Sequence, residues 1–92
     1  MNEEIGRWHL KIYGRVQGVG FRYRARYVAD NLCVIGWVRN EWDGSVEMEV
    51  QGTDRQIQKM LELINQGSYI HIENIERIQI PLEEGARGFH VR

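Results

Sequence analysis

In this chain of 92 residues, one stretch has the types and spacing for chemistry: Gly14-Arg15-Val16-Gln17-Gly18-Val19-Gly20-Phe21-Arg22. Its three glycines let the backbone turn sharply and approach a ligand closely. The residues before it alternate as a strand does, and those after it recur at helical spacing, so it reads as a strand-to-helix loop. A helix behind such a loop offers orphan N–H groups and its positive dipole end to an anion. Arg22 falls in the first helical turn, where a cation opposes the dipole by about 0.3–1 kcal/mol at an exposed site. A bound phosphate reverses that sign. The expected chemistry is an anion cradle of loop amides plus one guanidinium. On loop composition alone, a turn that merely reverses the chain remains equally open. The stretch is not a P-loop, for it lacks the Gly-Lys-Ser/Thr ending. Nor is it a dinucleotide fingerprint, since Gly18-x-Gly20 has no third glycine.

Conventional catalytic sets are missing. His9, His71 and His90 are scattered singly in strand-like segments and read as sheet-surface residues, because metal sites need convergent ligands. Asp30, Asp43 and Asp54 fall at a helix end, a turn and a helix start, all structural positions for aspartate. An enzyme built on this chain would work by positioning and electrostatics. Asn40 is the second residue of interest. Asparagine is depleted in strands, yet this one follows Trp37-Val38-Arg39 inside a strand-like run. The pattern alone favours a hairpin shoulder; the functional alternative is a carboxamide that both donates and accepts, suited to orienting a water.

Seven elements, the last a short terminal strand, must position these residues. Residues 8–13 alternate as a first strand, with Trp8, Leu10 and Ile12 on one face. Phe21, Ala25, Val28, Ala29 and Leu32 form the stripe of a three-turn helix, with Arg22, Arg24 and Arg26 off it. Residues 35–42 read as a second strand, Asp43-Gly44 as a hairpin turn, and Val46, Met48 and Val50 as the inward face of a third strand. Gly52 is expected to break that strand. Thr53 with Gln56 is a capping box ahead of a second helix, and Asn65-Gln66-Gly67 ends it. Residues 69–80 read as a fourth strand with an irregularity near Glu73-Asn74, residues 81–88 as a loop, and residues 89–92 as a short terminal strand. The order β-α-β-β-α-β predicts an α+β fold, the ferredoxin-like split βαβ sandwich. Two helices cover one face of a mostly antiparallel sheet of four strands plus the short terminal one. Which residues of the second strand approach the glycine loop is open from pattern alone.

Composition narrows the classes. The length predicts one domain over residues 1–92. Net charge of −1 gives no global attraction to nucleic acid or an anionic membrane. Between Glu4 and Asp30, however, six cations (Arg7, Lys11, Arg15, Arg22, Arg24 and Arg26) stand without one acidic residue. That local excess favours a small anionic ligand over a long polyanion, with a solvated basic helix face as the plainer reading. A single cysteine, Cys33, excludes an intramolecular disulfide and a cysteine-cluster metal site, and is expected to be a small buried hydrophobe. No basic-then-apolar leader and no long apolar run is present, so a cytoplasmic monomer without membrane contact is the expectation.

Two separated motifs, Gly14-x-Val16-Gln17-Gly18-Val19-x-Phe21-Arg22 and Gly36-Trp37-Val38-Arg39-Asn40 followed by Asp43-Gly44-x-Val46-Glu47, carry a resemblance. In this order and across essentially the whole chain, the sequence resembles the small single-domain acylphosphatases. The resemblance implies the same ferredoxin-like sandwich and hydrolysis of carboxyl–phosphate anhydrides without metal or other cofactor. Its partners would be a small acyl phosphate and inorganic phosphate as product or inhibitor. It further implies that the amides of Arg15, Val16, Gln17, Gly18, Val19, Gly20 and Phe21 bind phosphate, that Arg22 adds its guanidinium, and that Asn40 orients the attacking water. Where the family usually has Leu-Gly-Leu before the second strand, this chain has Leu32-Cys33-Val34, so a left-handed helix end would strain Cys33 by about 1 kcal/mol. Gly67-Ser68-Tyr69-Ile70 stands in place of the family's proline-containing segment.

Two other classes stay open. One is a phosphate-binding regulatory module without turnover. The other, weaker, is an RNA-binding ferredoxin-like domain, which would stack bases on aromatics of the central strands; the third strand, residues 45–51, has none.

Overall fold

Alternating apolar residues make strands here, and residues at helical spacing make helices that cover them. The computed structural model describes residues 4–92; residues 1–3 of the expected single domain lie outside the described ones. The order is β1 (Ile5–Arg15), α1 (Phe21–Leu32), β2 (Ile35–Asn40), β3 (Val46–Thr53), α2 (Asp54–Asn65), β4 (His71–Ile80) and β5 (Phe89–Val91). The strands form one sheet in the order β4-β1-β3-β2-β5, antiparallel throughout except that β5 runs parallel to β2. The core lies between the sheet and both helices. Leu10, Ile12, Val38, Val46, Met48 and Val50 meet Phe21, Ala25, Val28 and Ala29 of α1 and Ile57, Met60 and Ile64 of α2, all buried. Burying such side chains stabilises the fold by about 1.5–3 kcal/mol for each large aliphatic. Among the described residues no helix is long and apolar enough to cross a membrane.

Every strand differs from its expected limits at one end or both: β4 begins at His71 rather than residue 69, β5 ends at Val91 rather than residue 92, and the first three differ more. β1 is longer than residues 8–13 because backbone pairing with β3 and β4 extends past the alternating core residues. β2 stops at Asn40 rather than residue 42, since Glu41 N–H donates to Ser45 O at 2.9 Å and Gly44 N–H to Glu41 O at 3.2 Å, which closes the turn there. β3 continues through Gly52, which does not break it: Gly52 lies opposite Gly6, and the ladder carries on to Ile5 and Thr53. The irregularity expected near Glu73-Asn74 is present, as the β1–β4 register jumps from Tyr13–Asn74 to Gly14–Ile72 and leaves Glu73 as the extra residue of a bulge. Gly14 holds φ 134 there, and a Cβ on it would fall 2.1 Å from His71 O, so no side chain fits.

α1 ends in a Schellman motif. Val34 N–H donates to Ala29 O at 2.9 Å and Cys33 N–H to Asp30 O at 3.4 Å, with Cys33 left-handed at φ 60 and ψ 34. Cys33 is the one described non-glycine residue with positive φ. It is exposed, which corrects the expectation of a buried hydrophobe. The motif turns its backbone into the left-handed region while Val34 beyond it goes into the core, so the cysteine side chain points outward. Cys33→Gly removes the left-handed cost without losing packing and is expected to raise unfolding stability by about 0.5–1 kcal/mol. Urea denaturation of both proteins checks this; an unchanged or lower midpoint would contradict it.

The β2–β3 turn is held from within and from β1. The Asp43 carboxylate accepts from Ser45 Oγ at 2.6 Å and Ser45 N–H at 3.0 Å, and pairs with Lys11 Nζ at 3.1 Å. The Ser45 hydrogen bonds first, and the Lys11 ammonium after them, hold the Asp43 pKa down to about 2 against an ordinary 3.8. A depressed carboxylate contributes stability that is present above the unfolded pKa and lost as pH falls through the folded one. Asp43→Asn is therefore expected to lower the unfolding midpoint near neutral pH. The gap to the native sequence should close as pH falls from 3.8 to about 2. A gap that stays constant over that window in a pH series of melts would remove Asp43 from this role.

Candidate active site

The two helices begin differently. Thr53 caps α2: its Oγ1 accepts from Gln56 N–H at 3.1 Å, Gln56 Oε1 accepts from Thr53 N–H at 2.7 Å, and Asp54 adds a carboxylate to the first turn. α1 has none of this. Its N-cap is Gly20, left-handed at φ 80 and ψ 17, with no side-chain cap and no acidic residue in the first turn. The first amides of α1 thus lack an intrahelical partner and a side-chain one, the condition under which a helix start attracts an anion.

The loop before α1 is pinned at both ends by apolar anchors. Val16 and Phe21 are 1% and 2% exposed and belong to the core, and Val19 packs against it in part, which leaves Gly18 and Gly20 as the exposed part. Gly18 holds φ 71 and Gly20 φ 80, yet a Cβ on either would meet nothing within 4 Å. These glycines serve backbone conformation and close approach from outside, not packing.

A cavity of about 110 Å³ opens against this loop. Gly18 and Gly20 line it from the loop, Phe21, Arg22 and Tyr23 from the start of α1, and Asn40 from the end of β2, with Val16 beneath. The Arg22 side chain is half-buried and its Nη1 donates to the backbone carbonyl of Arg92, just beyond β5, at 3.1 Å. Asn40 is exposed and is the last residue of β2. Among the described residues no carboxylate or imidazole side chain lines the cavity, and the Arg22 guanidinium is the one charged side chain in its wall.

The structure therefore brings Val16, Gly18, Gly20, Phe21, Arg22 and Asn40 to one cavity. Arg15, Gln17 and Val19 are not in its wall. Arg15 ends β1 opposite His71, and the Gln17 side chain turns to the β2–β3 hairpin. Tyr23 and the Arg92 carbonyl were not foreseen. Tyr23 had a weak signal, being next to Arg22 and off the apolar stripe; the approach of Arg92 depends on β5 joining the far edge of the sheet, which no local pattern records.

The basic segment disperses on folding. Arg7 is 2% exposed under the loop after β4, where it pairs with Glu49 at 3.0 Å and Glu83 at 3.5 Å and donates to Gln51 at 3.2 Å. Lys11 serves Asp43, and Arg26 pairs with Asp30 at 3.9 Å. Arg24 donates through Nε to the carbonyls of Leu63 and Ile64, at 2.9 and 3.1 Å, and so caps the end of α2. Of the six cations, only Arg22 reaches the cavity.

Comparison with known proteins bears on what such a cavity does. The family model Acylphosphatase matches residues 8–91. The acylphosphatase of Thermococcus kodakarensis is 41% identical over 87 residues, covering 92% of this chain and 93% of its own. That of Thiobacillus denitrificans is 45% identical over 85 residues, covering 91% and 93%. The crystal structure of acylphosphatase from Bacillus subtilis has the same fold, with a TM-score of 0.85 and 31% identity over 97% of this chain and 99% of that one. With the family model matched from β1 to β5 and the uncapped, arginine-bearing loop in place, the chain belongs to the acylphosphatase family.

Proposed function

We propose that the chain hydrolyses acyl phosphates to carboxylate and inorganic phosphate in the cavity between the glycine loop and the end of β2. The loop amides from Arg15 to Phe21 (Arg15, Val16, Gln17, Gly18, Val19, Gly20 and Phe21) and the Arg22 guanidinium hold the phosphoryl group, and Asn40 orients the attacking water. The observation that carries this reading is the meeting of Arg22 and Asn40, from different elements, on one small cavity at an uncapped helix start.

The chemistry suits so sparse a site. The water oxygen forms a bond to phosphorus as the bond from phosphorus to the acyl oxygen breaks, and the carboxylate leaves with the electron pair. A carboxylate is stable at neutral pH without a proton, so no general acid is required. Since no carboxylate or imidazole among the described residues lines the cavity to take it, the water's proton goes to a phosphoryl oxygen of the substrate. What remains for the protein is charge stabilisation and in-line alignment. Amides and guanidinium supply the first, at about 3–4 kcal/mol for each well-aimed donor. The Asn40 carboxamide supplies the second. It accepts from the water through its oxygen and can donate to a phosphoryl oxygen through its nitrogen.

Benzoyl phosphate assayed without added metal tests the function: turnover supports it, and binding without turnover would make the chain an anion-binding module. Two variants test the roles. Arg22→Ala is expected to lose about 100- to 1,000-fold in kcat/KM and to weaken inhibition by inorganic phosphate in parallel. Arg22→Lys should rescue poorly, because an ammonium lacks the planar fork. Asn40→Ala is expected to lower kcat while leaving the phosphate inhibition constant nearly unchanged. Equal loss of phosphate affinity in the Arg22 and Asn40 variants would contradict the division of labour.

A further inference from the structure

Gln17 lies inside the glycine loop, but its side chain leaves the cavity. Its Nε2 stands 2.6 Å from the carbonyl oxygen of Glu41 and 2.8 Å from that of Ser45. The same two carbonyls close the β2–β3 turn, Glu41 O accepting from Gly44 N–H and Ser45 O from Glu41 N–H. Each carbonyl has two lone pairs, so the turn uses one of each and Gln17 uses the other. Two hydrogens on a single uncharged atom are needed to serve both; among side chains only a carboxamide has them, and asparagine is one methylene shorter.

Glu41 directly follows Asn40, and β2 leaves the sheet between them. We propose that the Gln17 side chain is a positioning residue for hydrolysis, fixing Asn40 at its working distance from the phosphate loop. This rests on the reading of Asn40 as the residue that orients the water. Gln17 ties the loop to the point where the chain departs from Asn40. Lys11 and Asp43 independently hold the tip of the same hairpin to β1. The hairpin therefore keeps its shape without Gln17, while its spacing from the loop loses its one side-chain hydrogen-bond tie among the described residues. The loop amides stay anchored by buried Val16 and Phe21. The consequence falls on turnover and spares phosphate binding.

The test is a double-mutant cycle of Gln17→Met with Asn40→Ala, with kcat for benzoyl phosphate and the inhibition constant of inorganic phosphate measured in all four proteins. Methionine keeps the length and apolar contacts and removes both hydrogens. Gln17→Met is expected to lower kcat about 10- to 100-fold, the cost of misplacing a group by about an ångström. Its phosphate inhibition constant should stay within about twofold of the original. In the Asn40→Ala background, Gln17→Met should cost less than about twofold more, because its route of action is already gone. Effects that multiply, a native kcat in Gln17→Met, or phosphate affinity lost in step with kcat would each overturn the proposal. Native turnover in Asn40→Ala would instead overturn the role of Asn40 on which it stands. Should Gln17→Met not fold, Gln17→Leu, likewise uncharged and without the two hydrogens, is read the same way. Failure of both to fold would make Gln17 a structural residue and end the proposal.

Discussion

The unpartnered amides at the start of α1 are the constraint around which this molecule is built. A helix start capped by glycine, with no side chain to accept from its amides, gives up roughly a few tenths of a kcal/mol relative to one with serine, threonine, aspartate or asparagine. This chain shows that it can make a good cap, since Thr53 and Gln56 make one for α2. At α1 the corresponding position is a left-handed glycine followed by an aromatic and a cation. A capping side chain there would occupy the donors an anion needs, and an acidic residue would repel it. The deficit is offset nearby. Val16 and Phe21 are buried on either side of the loop, so the exposed donors hang from a rigid part of the core.

Electrostatics follow from the same constraint. Six cations in one segment look like a basic patch, but folding engages most of them as single-purpose structural donors. Arg7 fastens the loop after β4 to the sheet, Lys11 holds a turn, and Arg24 caps the far end of α2. Their charge is answered by Glu49, Glu83 and Asp43 or by orphan carbonyls. The cavity therefore carries one guanidinium rather than a diffuse field. Such a site suits one phosphoryl group more than a polyanion, because extended polyanions need several phosphate contacts to gain affinity.

The fold and part of the candidate cavity's lining were legible where the deciding physics is local. The Thr53–Gln56 box, the Asp43-Gly44 turn, the bulge at Glu73 and the left-handed end at Cys33 are each determined within a few residues, and each was readable. The two motifs carried the family and, through it, Arg22 and Asn40. What the sequence hid depends on distant partners. Arg7 finds Glu49, Arg24 finds Leu63, and Gln17 finds Glu41, pairs separated by 42, 39 and 24 positions. A polar side chain off an apolar stripe reads as solvated unless the partner is known. The exposure of Cys33 was missed for a related reason: composition says cysteines are buried, while the Schellman geometry sends this one outward.

The meeting of Arg22 and Asn40 is, in retrospect, a matter of matched lengths. α1 has twelve residues and rises about 18 Å away from the loop. β2 has six and advances about 20 Å back along the sheet. Between them the chain turns in two residues, Cys33 and Val34, with hydrogen bonds from both back into the helix. An outward helix and a returning strand of equal length, joined by so short a turn, must end where they began. That is why the last residue of β2 faces the first turn of α1, and why the tight turn persists although a cysteine stands in it at a backbone angle that suits glycine. A longer, slacker connection would relieve Cys33 but let β2 slide along β3, and with the side-chain period of a strand a slip of one residue would turn Asn40 to the opposite face.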